Sequence, residues 1–104
     1  MKKRSILEAA KVIRSKNSGP YELTLDIIFK DRSFYDLFRK RRVINAALIA
    51  RLYHVPERDI LKIIYFEPSY AVKVTLRRRI PSGAPGETDI YGAQQHAPLL
   101  GITF

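Results

Sequence analysis

A chain of 104 residues without cysteine has room for one domain and can form neither a disulfide nor a thiolate metal site. Its 46% hydrophobic and 11% aromatic content excludes a wholly disordered chain, while its short apolar runs exclude a helix that spans a bilayer. The formal charge of +9 favours anionic partners in general and names none in particular.

The start, MKKRSILEAAKVIRSK, is basic, but Glu8 and Lys11 interrupt its apolar part. No secretory signal is read there, and a cytoplasmic single domain over 1–104 is expected, with residues 1–4 as a basic tail. Ser5 can cap a helix running to about Ile13, with Ile6, Ala9, Ala10 and Ile13 on one side. Gly19-Pro20 ends that region, which makes Arg14 to Gly19 a polar turn between helix and strand. In YELTLDIIF, Leu23, Leu25, Ile27 and Phe29 alternate with Glu22, Thr24, Asp26 and Ile28, the period of a half-buried strand.

DRSFYDLFRKRR returns to helical spacing, with Asp31 or Ser33 as cap and Phe34, Leu37 and Phe38 as the buried stripe. Its basic run falls in the last turn, where cations suit the negative end of the helix dipole. A further helix is expected from Asn45, as cap, to about Tyr53, burying Leu48 and Leu52. ILKIIYFEPSYAVKVTLRR then reads as an antiparallel hairpin around Glu67-Pro68-Ser69, with Val72, Val74 and Leu76 on one side of its second strand. The final LLGITF is a candidate for a short edge strand. The order predicts an α+β domain: a three- to four-stranded, mainly antiparallel sheet with helices on one face, ferredoxin-like or a degenerate form of it.

The basic residues gather in KKR (Lys2–Arg4), RKRR (Arg39–Arg42) and RRR (Arg77–Arg79). A helix-turn-helix over 45–64, NAALIARLYHVPERDILKII, would turn that charge toward DNA. Against it, the turn lacks a glycine and the would-be reading helix runs into β-branched and aromatic residues instead of polar base readers. Nucleic acid is therefore the alternative reading and not the leading one.

Two polar stretches carry the candidate chemistry. In the first, Gly19 beside Arg14, Ser15, Lys16, Asn17 and Ser18 could fold backbone N–H groups around an anion, with Arg14 offering a planar fork and Lys16 a point charge. The plainer reading is a turn whose side chains satisfy orphan carbonyls. In the second, residues 80–101 are expected to form an ordered polar loop, anchored by Ile90, Tyr91, Leu99 and Leu100. Within it Asp89 could orient His96 for proton transfer, and Gln94 and Gln95 could bind hydroxyls or carbonyls. The plainer reading again is a loop tying down its own backbone. His54, the only other histidine, has no carboxylate at ligand spacing, so neither a metal nor a cofactor is expected.

KVIRSKNSGPYELTLDIIF and SGAPGETDIYGAQQHAPLL resemble a small bacterial and archaeal family known only as a domain of unknown function, with Arg-Ser-Lys-Asn as its hallmark. The chain is also similar to the ferredoxin-like module at the C-terminus of proteins related to acyclic terpene utilisation protein A. On that resemblance Arg14, Ser15, Lys16, Asn17 and Gly19 match the first motif, and Asp89, Tyr91, Gly92, Gln94, Gln95 and His96 the second. It implies a small accessory subunit beside a large protein of the terpene-utilisation type, with a carboxylic acid or its coenzyme A thioester as substrate. The expected shared site has Arg14 on an anionic group, Lys16 and Asn17 assisting, and His96, oriented by Asp89, moving a proton. An exposed edge strand also leaves a route to a homodimer.

Overall fold

A computed structural model describes residues 3–19, 21–77 and 96–104. Ser5 opens the first element, α1 (Ile6–Ala9): its hydroxyl accepts from the Leu7 N–H at 3.1 Å, and Glu8 accepts from the Ser5 N–H at 3.2 Å. This reciprocal capping box starts the helix sharply, yet the helix lasts one turn and does not reach Ile13. At Ala10 the chain becomes β1 (Ala10–Gly19), paired antiparallel with β2 (Glu22–Phe29). Val12, Ile13, Ser15, Asn17 and Ser18 are weak helix formers, and pairing with β2 decides the matter in favour of strand. The stretch expected as a polar turn is thus an edge strand.

Helix α2 (Arg32–Arg41) starts on Asp31, whose carboxylate accepts from the Phe34 N–H at 3.1 Å and the Ser33 hydroxyl at 2.6 Å. It stops on Arg42, at φ 49°. Helix α3 (Ala46–Tyr53) starts on Asn45, which accepts from the Leu48 N–H at 2.9 Å, and stops on His54, at φ 55°. A 3-10 turn over Glu57–Asp59 leads into β3 (Ile60–Phe66), and another over Glu67–Ser69 turns the chain into β4 (Ala71–Arg77). Segment 45–64 therefore forms no helix-turn-helix. Its second half, β-branched and aromatic, pairs with β4 instead of coiling.

The sheet has the order β1-β2-β4-β3, antiparallel throughout. β2 and β3 consequently run parallel with β4 between them, the split β-α-β unit of ferredoxin-like folds, with β1 added outside β2. The fourth strand is thus Ala10–Gly19, not LLGITF. That last segment forms a 3-10 turn, Ala97–Gly101, and then a single bridge between Thr103 and Ser5.

One face of the sheet carries the core. Leu25, Ile27, Val72 and Val74 are wholly buried, as are Phe38 of α2, Ile49 of α3 and Leu99 of the last turn. Phe29 meets the rings of Tyr35 and Phe38 at centroid separations of 6.4 and 4.6 Å. The buried stripe of α2 is Tyr35 and Phe38, with Phe34 and Leu37 half-buried; in α3 Ile49 and Ala50 are buried and Leu48 and Leu52 half-buried. The two chain ends close the layer. Arg4 and Phe104 exchange backbone hydrogen bonds, both 2.8 Å, and the Ile6 N–H donates to the Ile102 carbonyl at 2.9 Å. The Arg4 guanidinium lies 5.3 Å from the ring centroids of both Phe34 and Phe104, so part of the first basic cluster serves cation–π packing. Among the described residues no helix is long and apolar enough to cross a membrane.

Candidate functional site

No described element covers the second face of the sheet, and strand register fixes what that face presents. Side chains alternate along each strand, so those of β2 that do not enter the core, Glu22, Thr24, Asp26 and Ile28, point the other way. Across the ladders Asp26 stands between Arg14 of β1 and Lys73 of β4, with Ile64 of β3 beyond. One row further along, Ile28 stands between Val12 and Ala71, with Phe66 at the end. In the opposite direction lie Lys16, Thr24, Thr75 and Lys62, then Glu22 beside Arg77. The face is therefore amphipathic by rows: apolar at one end and basic through the middle and the other end.

Its centre is an ion pair. The Arg14 Nε–H donates to Asp26 Oδ2 at 3.2 Å, with the guanidine side chain 63% exposed and the carboxylate 9%. A carboxylate this far out of water needs a counter-charge, and Arg14 supplies it. Lys73 flanks the pair from β4 and forms no ion pair with a described residue. Arg14, Asp26, Lys73, Ile28, Ile64 and Phe66 line a solvent-open hollow of about 360 Å³, completed by Ser69 and Ala71. Ile64 and Phe66 are 41% and 53% exposed. Such a surface can hold an anion next to a hydrocarbon. Among the described residues it carries no histidine.

The residues expected to act together are divided by this geometry. Arg14 and Lys16 face the open side, whereas Ser15, opposite Leu25, and Asn17, opposite Leu23, face the core side. Ser15 is buried and Asn17 half-buried. The anion-holding concavity of successive N–H groups is not formed, because an extended strand points neighbouring N–H groups to opposite sides. Gly19 ends β1, and a Cβ there would meet nothing within 4 Å. His96 is half-buried and heads the 3-10 turn Ala97–Gly101, which packs against α1 and α3 in the helical layer. It is not among the residues lining the hollow at Arg14. Asp89, Tyr91, Gln94 and Gln95, and with them most of the expected 80–101 loop, lie outside the described residues, as do Arg78 and Arg79.

Asp26 and Lys73, central to the open face, were not singled out by sequence reasoning. A signal existed: Thr24 and Asp26 on one strand mirror Thr75 and Lys73 on another, a polar face matched across two strands. Only the register joins them.

The RKRR cluster lies elsewhere. Arg39 and Arg42 border a second hollow, about 420 Å³, with Asn45 and Tyr65. The Tyr65 hydroxyl donates to the Ile44 carbonyl at 3.0 Å, and burial raises its pKa above the ordinary tyrosine value of 10.0. Arg39 lies 4.0 Å from Asp36, and the Asn45 amide is committed to the Leu48 N–H and the Arg42 carbonyl. These contacts give this hollow a structural use at the junction of α2, α3 and β3.

Comparison with family models finds a match over residues 6–103 to the family described as "Domain of unknown function (DUF4387)". No curated protein and no solved structure matches the chain.

Proposed function

The chain belongs to this family of unknown function, and from that premise we propose that it is a small accessory subunit completing the site of a larger partner related to acyclic terpene utilisation protein A, one acting on a carboxylic acid or its coenzyme A thioester. The resemblance of the two sequence motifs supports the kind of partner. The observation that carries the reading is the sheet face that no described element covers, where Ile64 and Phe66 stand 41% and 53% exposed beside the Arg14–Asp26 pair and Lys73. Exposed apolar groups clustered next to fixed charges mark interaction surfaces more often than bare solvent boundaries. A partner laid across this face would roof the hollow, exclude water and strengthen every charge interaction inside it.

In this reading Arg14 and Lys73 hold the anionic group, and the row ending in Phe66 takes the hydrocarbon or the partner's own apolar anchor. His96 heads the turn in the helical layer, away from this hollow, so with Asp89 it is a proton-transfer candidate only where the partner also reaches that layer.

Co-expression with the partner tests the reading. The two chains are expected to co-purify, the small chain alone to give no turnover, and Phe66→Glu to abolish co-purification while leaving its own fold intact. Arg14→Ala in the reconstituted enzyme is expected to reduce turnover about tenfold or more, the loss that goes with one charged hydrogen bond. Co-purification unaffected by Phe66→Glu would remove the open face as the interface. A separate variant, His96→Ala, is read by its kcat: full activity would assign proton transfer to the partner.

A further inference from the structure

We propose that the open-face hollow binds the carboxylate end of an amphipathic monoacid, with Arg14 and Lys73 on the carboxylate and the alkyl chain running over Ile28, Ala71 and Phe66. The inference rests on the shared-site reading above and specifies its ligand. Two cations and one carboxylate leave a single net positive charge around the hollow, which one monoanion neutralises; a phosphate dianion would overshoot it. Asp26 fixes Arg14 from below through Nε at 3.2 Å, so the outer edge of the guanidinium, with its Nη donors, is presented to a planar two-oxygen acceptor. A carboxylate fits that edge with two parallel hydrogen bonds, and Lys73, facing Asp26 across the β2–β4 ladder, supplies a second charge without fixed geometry.

The apolar row starts next to this pair. From Asp26 to Ile28, or from Lys73 to Ala71, is two residues along a strand, about 7 Å, and Phe66 closes the row from β3. A chain of several carbons crosses that distance, whereas a short acid such as acetate stops short of it. The hollow's volume, about 360 Å³, falls at the small end of the ligand-pocket range, which suits an acyl chain and leaves the bulk of a coenzyme outside.

Calorimetric and NMR titration of the full chain with octanoate, 1-octanol, acetate and inorganic phosphate tests the proposal. Octanoate is expected to bind about tenfold more tightly than either octanol or acetate, the difference that one charged contact or a few buried methylenes makes. Amide shifts should centre on Asp26, Ile28, Ala71 and Lys73. Lys73→Gln is expected to weaken octanoate severalfold and leave octanol unchanged, and Phe66→Ala to weaken both. Because Arg14→Ala strips a nearly buried carboxylate of its partner and can unsettle β1, Arg14→Lys is the paired variant: it keeps the charge, loses the fork, and should cost carboxylate affinity with the fold retained.

Equal binding of octanol and octanoate, displacement of octanoate by equimolar phosphate, or no octanoate binding by the folded chain at millimolar concentration would each overturn the proposal. Partner capture without octanoate binding would leave the subunit reading standing and remove the ligand; octanoate binding without partner capture would do the reverse.

Discussion

Single side chains at the helix junctions carry more than their exposure suggests. Asn45 accepts from the Leu48 N–H at 2.9 Å and donates to the Arg42 carbonyl at 2.8 Å, so one amide both starts α3 and finishes the turn from α2. Asn45→Ala is expected to cost about 1 kcal/mol or somewhat more, read from urea denaturation. Tyr65 holds the same junction from the sheet, and Tyr65→Phe should cost about 1 kcal/mol by leaving the Ile44 carbonyl without its donor. Asp31 adds a pH dependence. Its carboxyl is held below its ordinary value of 3.8, first by the Ser33 hydroxyl and then by the Phe34 N–H. A carboxyl with a lowered folded-state pKa contributes fully above the ordinary value and loses that contribution as pH falls through the folded one. The urea midpoint should therefore drop on acidification below 3.8, and Asp31→Asn should flatten that part of the profile.

At the scale of elements, the parts readable from sequence were those whose signals are local. Asp31 and Asn45 announce α2 and α3 because a cap needs only the next three residues. β2 and β4 show their alternation directly, and Glu67-Pro68-Ser69 shows the turn between β3 and β4. The stretch Ala10 to Gly19 was different. AAKVIRS has apolar spacing that suits either period, and the choice belongs to β2, which lies beyond the turn and supplies the ladder. Once β1 is a strand, Arg14 and Lys16 part company with Ser15 and Asn17, so the supposed anion turn dissolves and the Arg14–Asp26 pair replaces it. That pair was illegible because register across strands is a tertiary fact.

The two sheet edges also differ. β1 has irregular register at both ends and exposes Lys11, Arg14 and Lys16, devices that discourage strand addition. β3 runs regularly from Lys62 to Phe66, and Leu61, Ile64 and Phe66 are 42%, 41% and 53% exposed. Without a partner the chain is expected to self-associate along β3 at high concentration. Sedimentation should detect this, and Ile64→Lys should reverse it with little change in thermal midpoint.

For the molecule as a whole, the helical layer and the open face divide the work between stability and recognition. Phe38→Ala, in the core, should cost about 3–5 kcal/mol, whereas Phe66→Glu, across the sheet, should change stability by no more than about 0.5 kcal/mol. Equal destabilisation by the two would deny that division. The clasp between Arg4–Ile6 and Ile102–Phe104 has a further bearing on how the chain reaches its fold. Ile6 shares its core with Leu99 and Ile102, which are made only after all four strands of the sheet. During synthesis the nascent sheet therefore waits with a gap in its hydrophobic interior until Leu99 and Ile102 emerge, and their contact with Ile6 closes a ring that encloses the whole sheet. Truncation just before Leu99 should yield a collapsed, protease-sensitive species instead of a native one.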